Sequence, residues 1–325
     1  MADVRSERSE RWSVGFLLAS VFLSAAAALA QATVLGKQVY DLTGRELDLG
    51  ILGLAEFAPA ALLVLVTGSV ADRLDRRRVT AVAVLGQAAV AGGLAWYAST
   101  EPTAVGPIFG LVFCSGVTSA FAAPAARSLP ADVVAPERLP WVVARFSGAW
   151  QAAVVAGPVL GGFLYTRGVA LPYLAAAVLL VLSAAAVLVV QVRRTGERAT
   201  VDIGTEALEE AAVEPVAGRG TVADPPPKAG FRDAVEGLRF IRHHPVLLGA
   251  ISLDLFAVLF GGAVALLPAI ATDRLGVDAV GLGWLRAAGG IGAGLVTLTL
   301  ASRKPTDHRS LRSDRTSATG TARSY

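Results

Sequence analysis

The sequence predicts an all-α polytopic membrane protein with about eight transmembrane helices, and three observations carry the prediction. Hydrophobic residues make up 54% of the 325-residue chain and charged residues only 17%, with a mean hydropathy of +0.57. A soluble domain carries about a quarter charged residues. The apolar residues are gathered into runs of about 20, the length that crosses a bilayer core. Arginine is concentrated in alternate turns between those runs, the signature of segments held on the cytoplasmic side.

Residues 1–12 are polar, with Arg5, Arg8 and Arg11, and form an N-terminus expected in the cytoplasm. Ser13 to Val34 is the first predicted span; a signal core of about 7–15 apolar residues is shorter. Lys37 to Asp48 reads as a polar outer loop. Leu49 to Val70 and Val79 to Ser99 are the second and third spans, and Glu101-Pro102 marks a short outer turn. Thr103 to Ala123 is the fourth span, which Pro124 is expected to end, because proline breaks the hydrogen-bond ladder. Pro130, Pro136 and Pro140 then predict a non-helical inner loop holding Arg127, Asp132, Glu137 and Arg138. Trp141 to Tyr165 and Val169 to Val192 are the fifth and sixth spans, joined by a turn at Arg167-Gly168. Residues 13–192 therefore read as one six-helix unit.

Residues 193–245 change character. Glu206, Glu209, Glu210, Glu214 and Pro225 to Pro227 predict a flexible cytoplasmic linker. It ends in a helix whose apolar stripe, Phe231, Val235, Leu238 and Ile241, is flanked by Arg232, Arg239, Arg242, His243 and His244. Two readings stand for that helix, a partner of the inner leaflet and a solvated connector. Residues 246–301 hold two further spans, Val246 to Ala271 and Val280 to Ala301, around an outer turn at Asp273 to Asp278. Residues 302–325 form a polar tail expected in the cytoplasm.

The pI of about 9.3 suits nucleic acid, but orientation explains basic residues confined to the inner segments, and no nucleic-acid partner is expected. Cys114 stands alone inside an apolar run, and His243, His244 and His308 form no cluster. No disulfide, metal site or cofactor is expected. A glycine-rich phosphate loop and a nucleophile with a plausible base are also missing, so the chain does not read as an enzyme.

Charges inside spans cost about 2.5–3.5 kcal/mol each on insertion scales and mark functional sites. Glu56 in the second span reads either as a proton-binding carboxylate facing a cavity or as a carboxylate bonded to a neighbouring helix. Asp254 and Arg286 sit at similar depths in the seventh and eighth spans, as a static pair or as one that protonation releases. Arg145, one turn into the fifth span, snorkels to the inner surface. Gly157, Pro158, Gly161 and Gly162 predict a close helix approach and a bend. Gln31, Gln87, Gln151, Trp150, Phe146, Phe121 and Phe256 would give a cavity suited to an amphipathic or aromatic small molecule.

Between the second and third spans stand Gly68, Asp72, Arg73, Arg76, Arg77 and Arg78. A plain positive-inside turn accounts for the arginines but gives Asp72 no role. The arrangement resembles the motif between the second and third helices of the major facilitator superfamily. The resemblance implies that aspartate and arginines join helix ends in one of two alternating-access states, with Asp72 working against the start of an eleventh helix. Six helices, an inner linker and more helices also match that family's pair of six-helix repeats. Five stretches resemble its enterobactin-exporter-like branch of proton-driven efflux proteins. They are Phe121 to Pro130, Val159 to Tyr165, Glu236 to Arg242, Leu266 to Pro268, and Arg286 to Ala288 behind Gly281 and Gly283. The Gly157-Pro158 run resembles the fifth-helix antiporter motif of drug exporters.

What the resemblance implies is a transporter of a small hydrophobic or siderophore-like compound, exchanging it for protons in a bacterial-type cell membrane. Its partners would be the lipid bilayer, the transported molecule and protons. A member would continue from Arg303 through four more helices, whereas Thr306 to Tyr325 reads as out-of-frame or truncated. The competing expectation is thus a truncated, non-transporting membrane protein, or a subunit that borrows helices from a partner.

Overall fold

The computed structural model describes residues 2–73, 75–190 and 262–302, together with 242, 245, 247–249 and 251–253. Among the described residues every regular element is helical. Helices α1 (Ala2–Thr43), α2 (Glu46–Arg73), α3 (Arg76–Ser99), α4 (Gly106–Val133), α5 (Leu139–Tyr165) and α6 (Leu171–Val189) come first, with a 3-10 turn at Pro136–Arg138 before α5. A 3-10 turn at Gly262–Leu266, the three-residue α7 (Leu267–Ala269), a π turn at Ile270–Arg274 and α8 (Ala279–Ser302) follow.

Contacts divide the chain into two units, Met1–Gln191 with Ala265–Tyr325, and Val192–Val264. The described residues of the second unit from Arg242 to Leu253 are helical. The linker at 193–228, the amphipathic stretch from Phe231 to Ile241, Asp254, Phe256 and the tail beyond Ser302 lie outside the described residues.

In the first unit α1 packs along α5 and α6, α3 along α4 and α6, α2 along α4, and α8 along α5. The core is graded along the bundle. One end is closed by Val34, Val39, Tyr40, Leu94, Ile108, Val112 and Tyr173, and the other by Leu17, Leu129, Val133, Val142 and Val187. Between them the buried residues are mostly alanine, including Ala25, Ala26, Ala27, Ala88, Ala91, Ala153, Ala176 and Ala184. Small side chains let helices approach closely where lipid offers no hydrophobic drive to association. Leu54, Phe57, Leu62, Trp96, Val178 and Leu182 all face outward. An apolar outer surface of this extent fits hydrocarbon as its solvent. Six described segments are long and apolar enough to cross a membrane: Glu10–Thr43, Arg76–Ser99, Gly106–Val133, Pro136–Tyr165, Leu171–Val189 and Ala279–Val296. Helix α2, at 28 residues, is about 42 Å long.

Three expectations from sequence are corrected. Lys37 to Asp48 is not a loop. Helix α1 runs on to Thr43, where Gly44 takes a left-handed φ of 60° and its N–H bonds the Tyr40 carbonyl at 2.8 Å. That is a glycine C-cap, so the connection shrinks to Gly44-Arg45. The polar N-terminal segment is helical from Ala2 and continuous with the rest of α1.

Pro124 does not end the fourth helix. Helix α4 continues through Pro124 and Pro130 to Val133, taking Arg127 and Asp132 with it. A helix loses one hydrogen bond at a proline, but an irregular backbone in lipid would expose several unsatisfied groups, so the helix persists. Pro140 likewise lies in the first turn of α5, where its missing N–H costs nothing. Finally, the described end of the seventh predicted span is no regular α-helix but the 3-10, α and π sequence around Pro268, which lacks the donor a continuous ladder needs.

Candidate functional site

The second span carries its one carboxylate, Glu56, about 15 Å from the start of α2. Pro59 lies inside the same helix one turn on, and Gly116 of α4 faces both. A Cβ at Gly116 would stand 2.4 Å from the Glu56 carbonyl oxygen and 3.0 Å from the Pro59 ring. Only a glycine lets α4 approach this close, and it does so at the turn that bears the carboxylate. A second close approach, Gly86 against Thr118, joins α3 to α4. It sets Gln87 beside Ser119, whose hydroxyl accepts the Gln87 Nε2 hydrogen bond at 2.8 Å.

These approaches enclose a cavity of about 40 Å³ lined by Gln31, Glu56, Gln87, Ser115 and Ser119 with Ala28, Ala32, Leu35, Val112 and Leu180. The volume holds a few water molecules, and the polar lining supplies partners for them. The structure brings Glu56, Gln31 and Gln87 to one cavity and adds Ser115 and Ser119, which the sequence does not single out. Their signal, two serines four residues apart on an apolar helix, is shared by many structural serines.

Arg286 enters from α8. Its buried Nε has no hydrogen-bond partner, and its Nη2 stands 3.6 Å from where a Cβ on Gly36 of α1 would lie. Its expected partner, Asp254, is outside the described residues.

At the other end of the bundle, Asp75 caps α3, accepting from the Arg77 N–H at 3.0 Å, and Arg78 pairs with it at 3.6 Å. Arg76 reaches Asp132 on α4 at 3.4 Å. Arg77 donates to the Val190 carbonyl that ends α6, at 2.9 Å. A cation on the last carbonyls of a helix also meets the negative end of its dipole. The turn thus ties α3 to α4 and α6. The half-exposed Arg76–Asp132 pair contributes on the order of 0.2–1 kcal/mol. The side chains of Gly68, Asp72 and Arg73 lie outside the described residues.

Arg145 lies on the exposed side of α5, stacked over Trp141 at 3.9 Å. Gln151 does not line the cavity but donates to the Gly290 carbonyl of α8 at 2.6 Å. Trp150 is exposed, and Phe121 and Phe146 are half-buried.

The glycines of α5 face two helices. A Cβ at Gly157 would be 2.7 Å from the Ala26 carbonyl oxygen, and one at Gly161 2.8 Å from that of Ala30, both on α1. One at Gly162 would meet the Ala279 carbonyl of α8 at 2.1 Å. Helix α8 answers with Gly283, whose Cβ would lie 2.5 Å from the Pro158 carbonyl oxygen. Helix α5 is gripped from both sides with almost no side chain between the backbones.

A bundle that turns phenylalanine and leucine outward while keeping a carboxylate among amides and hydroxyls inside belongs to the polytopic helical membrane proteins with an internal polar chamber. The family model of the Major Facilitator Superfamily matches residues 12–315, and the chain belongs to that superfamily. Its members are secondary transporters, multi-pass proteins of the lipid bilayer that carry small substrates. A search among curated proteins finds no match.

Proposed function

We propose that this chain is a proton-coupled efflux transporter of the enterobactin-exporter-like branch, moving a small hydrophobic or siderophore-like compound by alternating access. The observation that carries the proton role is Glu56. It is the one carboxylate of a small polar chamber in the bundle core, where a carboxyl group can exchange its proton with a few trapped waters. Asp254, by its place in the seventh predicted span, is the second candidate carrier. Large polar side chains are few in the predicted spans, Gln31, Gln87 and Gln151 beside the charged residues, which favours an amphipathic or aromatic substrate over a sugar.

Residues 13–192 form the first repeat, 193–245 the cytoplasmic linker, 246–301 the first hairpin of the second repeat, and 302–325 a cytoplasmic tail. The arginine turn supports an N-terminus in the cytoplasm of a bacterial-type inner membrane. The glycine and proline face of α5, including Gly157, Pro158, Gly161 and Gly162, supports the antiporter reading, because such a contact lets one helix group rock on another. Arg145, stacked on Trp141, stays at the membrane surface and takes no part in coupling.

The test is proton movement on addition of substrate. In everted vesicles carrying a pH gradient, amphipathic and siderophore-like compounds taken up by this protein are expected to release protons from the lumen. Uptake with no proton movement would remove the antiport reading. Within the gating motif, Asp72→Ala is expected to slow uptake more than alanine at Arg73, Arg76 or Arg77, since the three arginines can substitute for one another in charge, whereas Asp75 is taken up by the α3 cap and Arg78. Uptake by Asp72→Ala at the parent rate would leave the motif with orientation alone.

A further inference from the structure

The final turns of α1 carry polar residues on several faces. Gln38 accepts from the Tyr173 hydroxyl of α6 at 2.5 Å. Asp41 accepts from the Tyr165 hydroxyl of α5 at 3.0 Å and pairs with Lys37. These bonds stay within the first six helices and fix the end of α1 to its neighbours.

A different face points to the segment before α8. Gly36 and Tyr40, four apart, lie one above the other on α1. A Cβ on Gly36 would be 2.9 Å from the Pro268 ring. One turn on, the Tyr40 hydroxyl donates to the Asp273 carboxylate. Asp273 sits on the π turn Ile270–Arg274, a rare geometry that is frequent at functional sites. Ala28, Ala32 and Leu35, the wall that α1 gives the polar chamber, stop where this contact begins. Along α1 the Gly36–Pro268 and Tyr40–Asp273 contacts follow directly on that wall, toward this end of the bundle.

We propose that Tyr40 and Asp273, seated on the Gly36–Pro268 contact, are the gate that closes this side of the pathway. The inference rests on the transporter reading, in which each side must be sealed in one state and open in the other. The bonds of Gln38 and Asp41 join helices of one group and survive the change. The phenol–carboxylate bond joins two groups and must break. A bond made in only one of two states sets their ratio by its own strength, and charge-assisted bonds are the stronger kind.

The test reads conformation and needs no known substrate. In the full chain with Cys114→Ser and Ser115→Cys, a membrane-impermeant maleimide is applied from the side of the α1 C-terminus. Tyr40→Phe and Asp273→Asn are each expected to raise the labelling rate about tenfold, and Gly36→Val at least as much by wedging Pro268 away. Tyr173→Phe, which breaks a bond inside the first six helices, is expected to leave the rate unchanged. Asp273 is exposed, so Asp273→Asn keeps the test decisive where Tyr40→Phe lowers the yield of folded protein. Parent labelling in both conservative variants, or an equal rise in Tyr173→Phe, overturns the gate. Absence of transport with the labelling pattern intact would instead count against the transporter reading.

Discussion

Glu56→Gln is expected to reduce proton-coupled efflux by about a hundredfold or more, the scale on which a positioned proton-transfer group acts. The amide keeps the volume and polarity of the side chain, so the chamber formed with Gln31, Gln87, Ser115 and Ser119 survives. It also keeps the close approach of α2 to α4, which depends on backbone at Glu56, the Pro59 ring and Gly116. What it loses is the proton, and with it the change of charge inside the chamber. Substrate-induced pH change in everted vesicles measures this directly, with the yield of folded protein as control. Persistence of coupling in the Glu56→Gln, Asp254→Asn double variant would rule out both as carriers. Coupling lost in Asp254→Asn alone would move the role to the seventh predicted span.

The second large effect lies at α5. Gly161→Leu is expected to prevent stable assembly of the bundle. Even a Cβ there would lie 2.8 Å from the Ala30 carbonyl oxygen and 3.0 Å from the Ala30 Cα. The obstacle is backbone in the middle of α1, which cannot swing aside as a side chain can. Overpacking in a core costs about 1–3 kcal/mol, occasionally more, and a leucine beside a helix backbone falls at the upper end. Gly148→Leu is the control, because a Cβ there meets nothing within 4 Å. Melting temperature and monodispersity in detergent should drop sharply for Gly161→Leu and stay level for Gly148→Leu. Equal behaviour of the two would show that the α1–α5 contact is not the one that holds the unit together.

Much of the bundle was legible because a membrane simplifies the reading. Apolar runs of bilayer length, separated by charged turns, define spans whatever their partners, and Glu56 stood out as an expensive charge in such a run. Two of the departures share one cause. At Lys37 to Asp48 and around Pro124 local propensity points the other way, polar residues to a loop and proline to a break. In the structure Lys37 pairs with Asp41 on the same helix face, and α4 carries two prolines within an otherwise intact ladder. The lipid's demand that every backbone group be satisfied overrides both local signals.

The sequence by itself determined the class of this protein, the apolar segments it is built from, and the charges and small residues that such a bundle must place with care, because burial in lipid acts on each segment separately. Which residues meet was decided by the tertiary structure alone. Glu56 gained its serines through Gly116, Arg77 found the last carbonyl of α6, and Tyr40 reached Asp273 across 233 positions. Hydrogen bonds and close backbone contacts depend on distance and angle between helices, and those arise only when the helices pack.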